Sequence, residues 1–156
     1  MAQCAIIEAN NWSDILLIMG KYSQKHLDVQ YCVICMFAIE MYLKSIYLYN
    51  ERFPREFGHN IKNMYNGLND EEKKILKKDV KIDNNKQFID WTFDKYVTFD
   101  TFEEELEFIE NDFENLRYEF EKSVYDIPII TCKEFIKKLL ENSEKLARWV
   151  VYGDKL

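Results

Sequence analysis

The stretch from Tyr31 to Tyr49 constrains this chain more than any other. It reads YCVICMFAIEMYLKSIYLY, almost continuously apolar, with Glu40 and Lys44 as its charged exceptions. It is too long for one strand, and Met, Ala, Leu and Glu favour helix. A helix that is apolar on nearly all faces is normally the central helix of a bundle. The expectation is therefore a helix over 28–50 with the rest of the chain packed around it. The longest uninterrupted apolar run, Tyr31 to Ile39, is too short to span a bilayer, so no membrane segment is expected.

The flanking sequence supplies the partners. Trp12, Leu16 and Met19 fall at helical spacing within 2–26, and Ile15 and Ile18 widen that stripe. Pro54 and Gly58 mark a connection. A short helix over 59–68 carries Ile61, Met64, Tyr65 and Leu68, and Asn69 or Asp70 caps another over 71–78. Phe102, Leu106, Ile109, Phe113, Leu116 and Phe120 form a heptad seam on a long helix, which Asp100 or Thr101 can cap. Past Pro128, a last helix over 132–152 buries Phe135, Leu139, Leu146 and Val150. Residues 79–99 read as an insertion: Asp83, Asn84 and Asn85 suggest a loop, while Phe88, Trp91, Phe93, Tyr96 and Phe99 suggest that it packs on something. With 4 Gly and 2 Pro in 156 residues, many short strands joined by tight turns are not expected. The fold class is all-α, an up-down bundle of four to six helices forming one domain over 1–156.

Charge and cysteine content narrow the function. A net charge of −7 gives no global basic footprint for nucleic acid, so RNA contact needs a local basic patch or one built by dimerisation. The start, MAQCAIIEANNW, has no basic region and meets Glu8 early, so no secretory signal is expected and a cytoplasmic location follows, with thiols reduced. Cys32 and Cys35 form a C-x-x-C, which is half of a zinc site. No second C-x-x-C or H-x-x-x-H completes it, and in an apolar helix free Cys acts as a small hydrophobe. No metal and no cofactor are expected. The run Asp100 to Glu121 holds ten carboxylates against Arg117 alone, and its simplest reading is a solvated helix face. No Glu-x-x-His occurs, which argues against a di-iron bundle.

The charged exceptions on apolar surfaces are the candidate site. Glu40 and Lys44 stand at i, i+4, a favourable intrahelical pair. A charged pair in so apolar a setting needs partners, and His59 or Arg117 could supply them. His59 follows Gly58 and could equally be a cap. Arg117 adjoins Leu116 on the seam; it can pair with Glu114 or Glu121 on its own helix, or bind phosphate with its planar fork.

Three stretches in order, FAIEMYLKSIYLYN, FGHNIKNMYNGL and FENLRYEFEKS, resemble the HEPN superfamily (higher eukaryotes and prokaryotes nucleotide-binding domains) across about residues 28–123. The resemblance implies a HEPN-like helical bundle, commonly a homodimer. Many members are metal-independent endoribonucleases of toxin–antitoxin and antiviral defence systems. Their motif is an arginine, four to six residues, then a histidine, and the two-fold axis joins two copies in one cleft. Arg117 looks like that arginine. Lys122, Ser123 and Val124 stand where the histidine should fall, and the chain's histidines are His26 and His59. An arginine alone can bind phosphate but cannot titrate near pH 7. The departure points to the family's non-catalytic branch: binding or regulatory proteins that take nucleotides, RNA or a minimal nucleotidyltransferase partner. The implied cleft is lined by Glu40, Lys44, His59, Arg117, Tyr118 and Glu121. The alternatives are a divergent endoribonuclease using Arg117 with His59, and a helical protein-interaction module outside the family.

Overall fold

The structure, a computed structural model, describes residues 1–22, 28–52, 58–82, 88–90, 95–118 and 132–155, with side chains described for all of these except 19–22, 28–29, 88–90, 95–97, 112 and 114–118. Six helices form the described fold: α1 (Ala2–Tyr22), α2 (Asp28–Tyr49), α3 (Ile61–Gly67), α4 (Asp70–Leu76), α5 (Phe102–Tyr118) and α6 (Lys133–Tyr152). The chain is all-α, as its apolar patterning predicts. The 79–99 insertion adds something the glycine and proline counts do not suggest. Phe88–Asp90 (β1) and Lys95–Val97 (β2) pair antiparallel, with Phe88 opposite Val97. Phe88 and Tyr96 lie in this ribbon, as suits aromatic residues, and Phe99 is buried; Asp83, Asn84, Asn85, Trp91 and Phe93 lie outside the described residues.

The core is built on α2. Cys32, Cys35, Met36, Ala38, Ile39, Tyr42, Leu43 and Ile46 are all buried, so they cover most of the helix circumference. α2 is long and apolar enough to cross a membrane, and 67% of that window is buried against the rest of the protein. Cys32 and Cys35 are fully buried in the apolar cluster, and the described residues hold no group of His, Cys, Asp and Glu placed for a metal.

α1 covers one side of α2 through Ala5, Ile6, Ala9 and Leu16, with Trp12 stacked on Phe37 of α2 at 5.6 Å. Trp12 and Leu16 thus lie on the expected stripe, which Ala5 and Ala9 extend toward the N-terminus, while the side chain of Met19 lies outside the described residues. Ile15 and Ile18 face outward instead. α6 packs Phe135, Ile136, Leu139, Leu146 and Ala147 against the same core; Val150 is half-buried. Asn142 ties α6 to the end of α4 by donating to the Leu76 and Lys78 carbonyls, each at 2.8 Å. On α5 the seam residues Phe102, Leu106, Ile109 and Phe113 are buried, while the side chains of Leu116 and all of Phe120 lie outside the described residues.

The caps explain where the short helices begin. Asn60 accepts from the Asn63 N–H, so α3 starts at Ile61 and His59 precedes the helix. Asn69 forms a capping box with Glu72 at the start of α4, and Thr101 does the same with Glu104 at the start of α5.

Candidate functional site

The site begins with a burial problem. Glu40 lies in the middle of α2 and is fully buried. A carboxylate there must be paired and hydrogen-bonded, since an isolated buried charge is very costly. One turn further on, Lys44 places Nζ 2.6 Å from Glu40 Oε1. His59 reaches the same oxygen through Nδ1, also at 2.6 Å.

The chain brings His59 there by a turn. Gly58 has φ +59°, in the left-handed region that glycine adopts without strain. After His59, Asn60 caps α3, and the buried Ile61 N–H donates to Glu110 Oε2 of α5 at 2.8 Å. Glu110 therefore pins the start of α3 onto α5 and fixes the turn that carries His59.

The geometry also sets the imidazole tautomer. A carboxylate oxygen accepts only, so at 2.6 Å Nδ1 carries the proton and donates. Lys44 Nζ, 3.4 Å from Nδ1, is then a neighbouring donor and not a partner of that nitrogen. In a neutral ring with that tautomer, Nε2 is an acceptor. A buried carboxylate that holds Nδ1–H is the arrangement that orients a histidine for proton transfer or anion contact. The Lys44 side chain is 17% exposed and that of His59 is 61% exposed. The cluster thus has a buried anionic floor and presents an ammonium and an imidazole outward.

Of the six residues expected to share a cleft, the structure brings three together: Glu40, Lys44 and His59. Glu121 and the side chains of Arg117 and Tyr118 lie outside the described residues. The backbone of α5 does place position 117. It follows Glu110 by seven residues, so it returns to the same side of α5, roughly 10 Å further along.

Part of the acidic run on α5 packs against α3 and the end of α4, while Asp100, Glu104 and Glu107 are exposed and the side chains of Asp112, Glu114, Glu119 and Glu121 lie outside the described residues. Glu103, Glu107 and Glu110 recur at i, i+4 and i+7, and each meets α3 or α4. Glu103 accepts from the Tyr65 hydroxyl at 2.6 Å and pairs with Lys77; Glu107 pairs with Lys62; Glu110 receives the Ile61 N–H. The periodicity among these glutamates was the signal for a structural face. Burial pushes the Glu103 carboxyl up, but hydrogen bonds from Lys77 and Tyr65 overcome this and hold it below the usual carboxylate range. Burial likewise raises the Tyr65 hydroxyl, and the Glu103 carboxylate it donates to raises it further.

Comparison of the chain with protein-family models, with curated proteins and with solved structures finds no match.

Proposed function

We propose that this chain is a HEPN-like binding or regulatory protein of a bacterial defence or toxin–antitoxin system, acting as a homodimer without full endoribonuclease activity. One observation carries the reading. The first two stretches meet where the Gly58–His59 turn packs on α2, and Phe113, which opens the third, lies edge-on to Phe37 of the first at 5.2 Å. Lys44 and His59 converge there on one buried oxygen of Glu40, beside the helix that carries Arg117. A preformed ammonium and imidazole over a buried carboxylate suit a phosphate-bearing ligand, since cations already held in place lose little side-chain freedom on binding. Nucleotides and RNA are the ligand classes, and a minimal nucleotidyltransferase is the protein partner that the resemblance implies.

Titration of a fluorescent adenine nucleotide, read by anisotropy, tests the site. Lys44→Gln is expected to weaken binding at least tenfold, and His59→Gln severalfold. Equal affinity in all three proteins counts against the site. Light scattering tests the assembly: a monomer of 18.9 kDa at micromolar concentration contradicts the dimer.

The His59–Glu40 geometry specifically favours a second reading, a metal-independent endoribonuclease in which His59 takes the role of the missing histidine. Cleavage of a mixed-sequence RNA in EDTA that is lost in both His59→Ala and Arg117→Ala would replace the first reading with this one.

A further inference from the structure

One side of α1 is apolar and uncovered. Ala5, Ile6, Ala9 and Leu16 bury the inner side of the helix. On the outer side Ile7, Ile15, Leu17 and Ile18 are 57%, 40%, 67% and 57% exposed. No other described Ile, Leu, Phe or Trp side chain in the protein is exposed to that degree. Scattered singly such residues mean little, but these four share one helix. They present roughly 400 Å² of apolar surface, the size of the largest patch on an ordinary monomer, which often marks an interaction site.

The seam through this face has a pattern of its own. Ile7, Asn11, Asp14 and Ile18 are spaced 4, 3 and 4. They therefore fall within roughly 60° of the helix circumference, with Ile15 on one flank and Leu17 on the other. Asn11 and Asp14 are both exposed, and their side chains make no hydrogen bond or ion pair with the described residues. The order along the seam is apolar, amide, carboxylate, apolar.

We propose that this face pairs with α1 of a second copy of the chain, antiparallel across a two-fold axis. That arrangement sets Ile7 against Ile18 of the second copy at both ends of the contact. In the middle it sets Asn11 against Asp14 of the second copy, twice. The amide N–H donates to the carboxylate, so each polar residue supplies what the other lacks. A parallel pair instead sets Asp14 against Asp14, where like charges repel. A two-fold contact needs a surface complementary to itself, and this seam is one. With the polar residues and the flanks included, each copy approaches the ~800 Å² that a standard interface buries per partner. A lipid surface fits less well. Interfacial helices carry Lys and Arg around the polar side, whereas α1 has Lys21 against Glu8 and Asp14. The inference rests on the reading above only for the existence of a homodimer. It locates the contact on α1 and uses none of the residues around Glu40.

The test is sedimentation equilibrium of the full chain over a range of concentrations. Wild type is expected to reach twice 18.9 kDa at micromolar concentration. Ile7→Asp/Ile18→Asp, confined to exposed positions, should weaken association at least a hundredfold with an unchanged helical circular dichroism spectrum. Asn11→Asp faces Asp14 of the second copy with a like charge and should weaken it at least tenfold. Asn11→Lys faces the same carboxylate with an ammonium and should tighten it severalfold. Weakening by Asn11→Asp and Asn11→Lys alike overturns the antiparallel register and the proposal with it. Sedimentation with phosphatidylserine vesicles that Ile7→Asp/Ile18→Asp abolishes, in place of self-association, also overturns it. A dimer unchanged in every variant overturns the α1 contact and leaves the homodimer of the reading above standing. A monomeric wild type removes the dimer from both, and the nucleotide titration of Lys44→Gln still reports on the Glu40 site by itself.

Discussion

Lys44→Met isolates the energetics of the candidate site. The methionine keeps most of the lysine's volume and its unbranched stem but removes the ammonium. Glu40, fully buried, then loses one of two donors to Oε1, and the other, His59, belongs to a mostly exposed ring. Breaking a buried pair by removing one partner costs about 3–5 kcal/mol, because the other charge stays desolvated. The exposed imidazole offsets part of this, which puts the expectation near 3 kcal/mol. Removing both charges, as in Glu40→Leu/Lys44→Met, removes the desolvation cost as well, and such replacements are often neutral or stabilising. The double variant should therefore be more stable than Lys44→Met, and the cycle should show a coupling of about 2–3 kcal/mol. Urea unfolding followed at 222 nm reads this directly. With a slope of about 2 kcal/mol/M, a loss of ~3 kcal/mol moves the midpoint down by roughly 1.5 M. A shift below about 0.3 M for Lys44→Met, or strictly additive single effects, refutes the claim that Glu40 depends on Lys44.

Three further outcomes follow from other contacts. Asn142→Ala removes both donors to the Leu76 and Lys78 carbonyls and should cost about 2–3 kcal/mol in the same urea assay. Glu103 has its folded carboxyl held below the ordinary 4.5, so the stability it adds is present above that value and lost as pH falls through the folded pKa. Thermal melts of wild type and Glu103→Gln should accordingly differ by a constant amount above pH 5 and converge at lower pH. Cys4 is exposed while Cys32, Cys35 and Cys132 are buried, and burial together with neighbouring Cys32 pushes the Cys35 thiol up to about 12. Iodoacetamide at pH 8 should add one adduct to the native protein by intact mass and four after denaturation.

The fold was legible where one periodicity had one explanation. The all-round apolar stretch of α2 could only be a central helix, and Phe102, Leu106, Ile109 and Phe113 could only face inward. It was less legible on α1, where Ile15 and Ile18 satisfy the same helical spacing as the true contact residues. Apolar spacing cannot say which of two overlapping stripes is used. Ala5 and Ala9 extend the one that is used, with Trp12 and Leu16. The pairing of β1 with β2 was missed because turn residues were counted over the whole chain, and one pair of three-residue strands barely changes that count.

The site divides along the same line. Glu40 and Lys44 announced themselves as charges in an apolar helix, and burial explains why such exceptions are informative: each needs a specific partner, and the partner marks a meeting of elements. His59 could be suggested but not assigned, since its route to Glu40 depends on the backbone turn at Gly58 and on Glu110 holding the start of α3. Glu103, Glu107 and Glu110 were concealed by their number, because a carboxylate in an acidic run looks like any other. Their i, i+4, i+7 recurrence separates them from their neighbours. A net charge of −7 likewise hides five lysines over residues 73–81, two of which, Lys73 and Lys77, are held over the Tyr65 ring. In this chain the informative charges are those held by a buried or aromatic neighbour, and α3 lies between two such groups. The helix is seven residues long and is fixed at both ends by glutamates of α5: Glu110 on the Ile61 N–H and Glu103 on the Tyr65 hydroxyl. A change that shifts α3 along α5 should therefore carry the His59 turn with it and weaken the hold of His59 on Glu40.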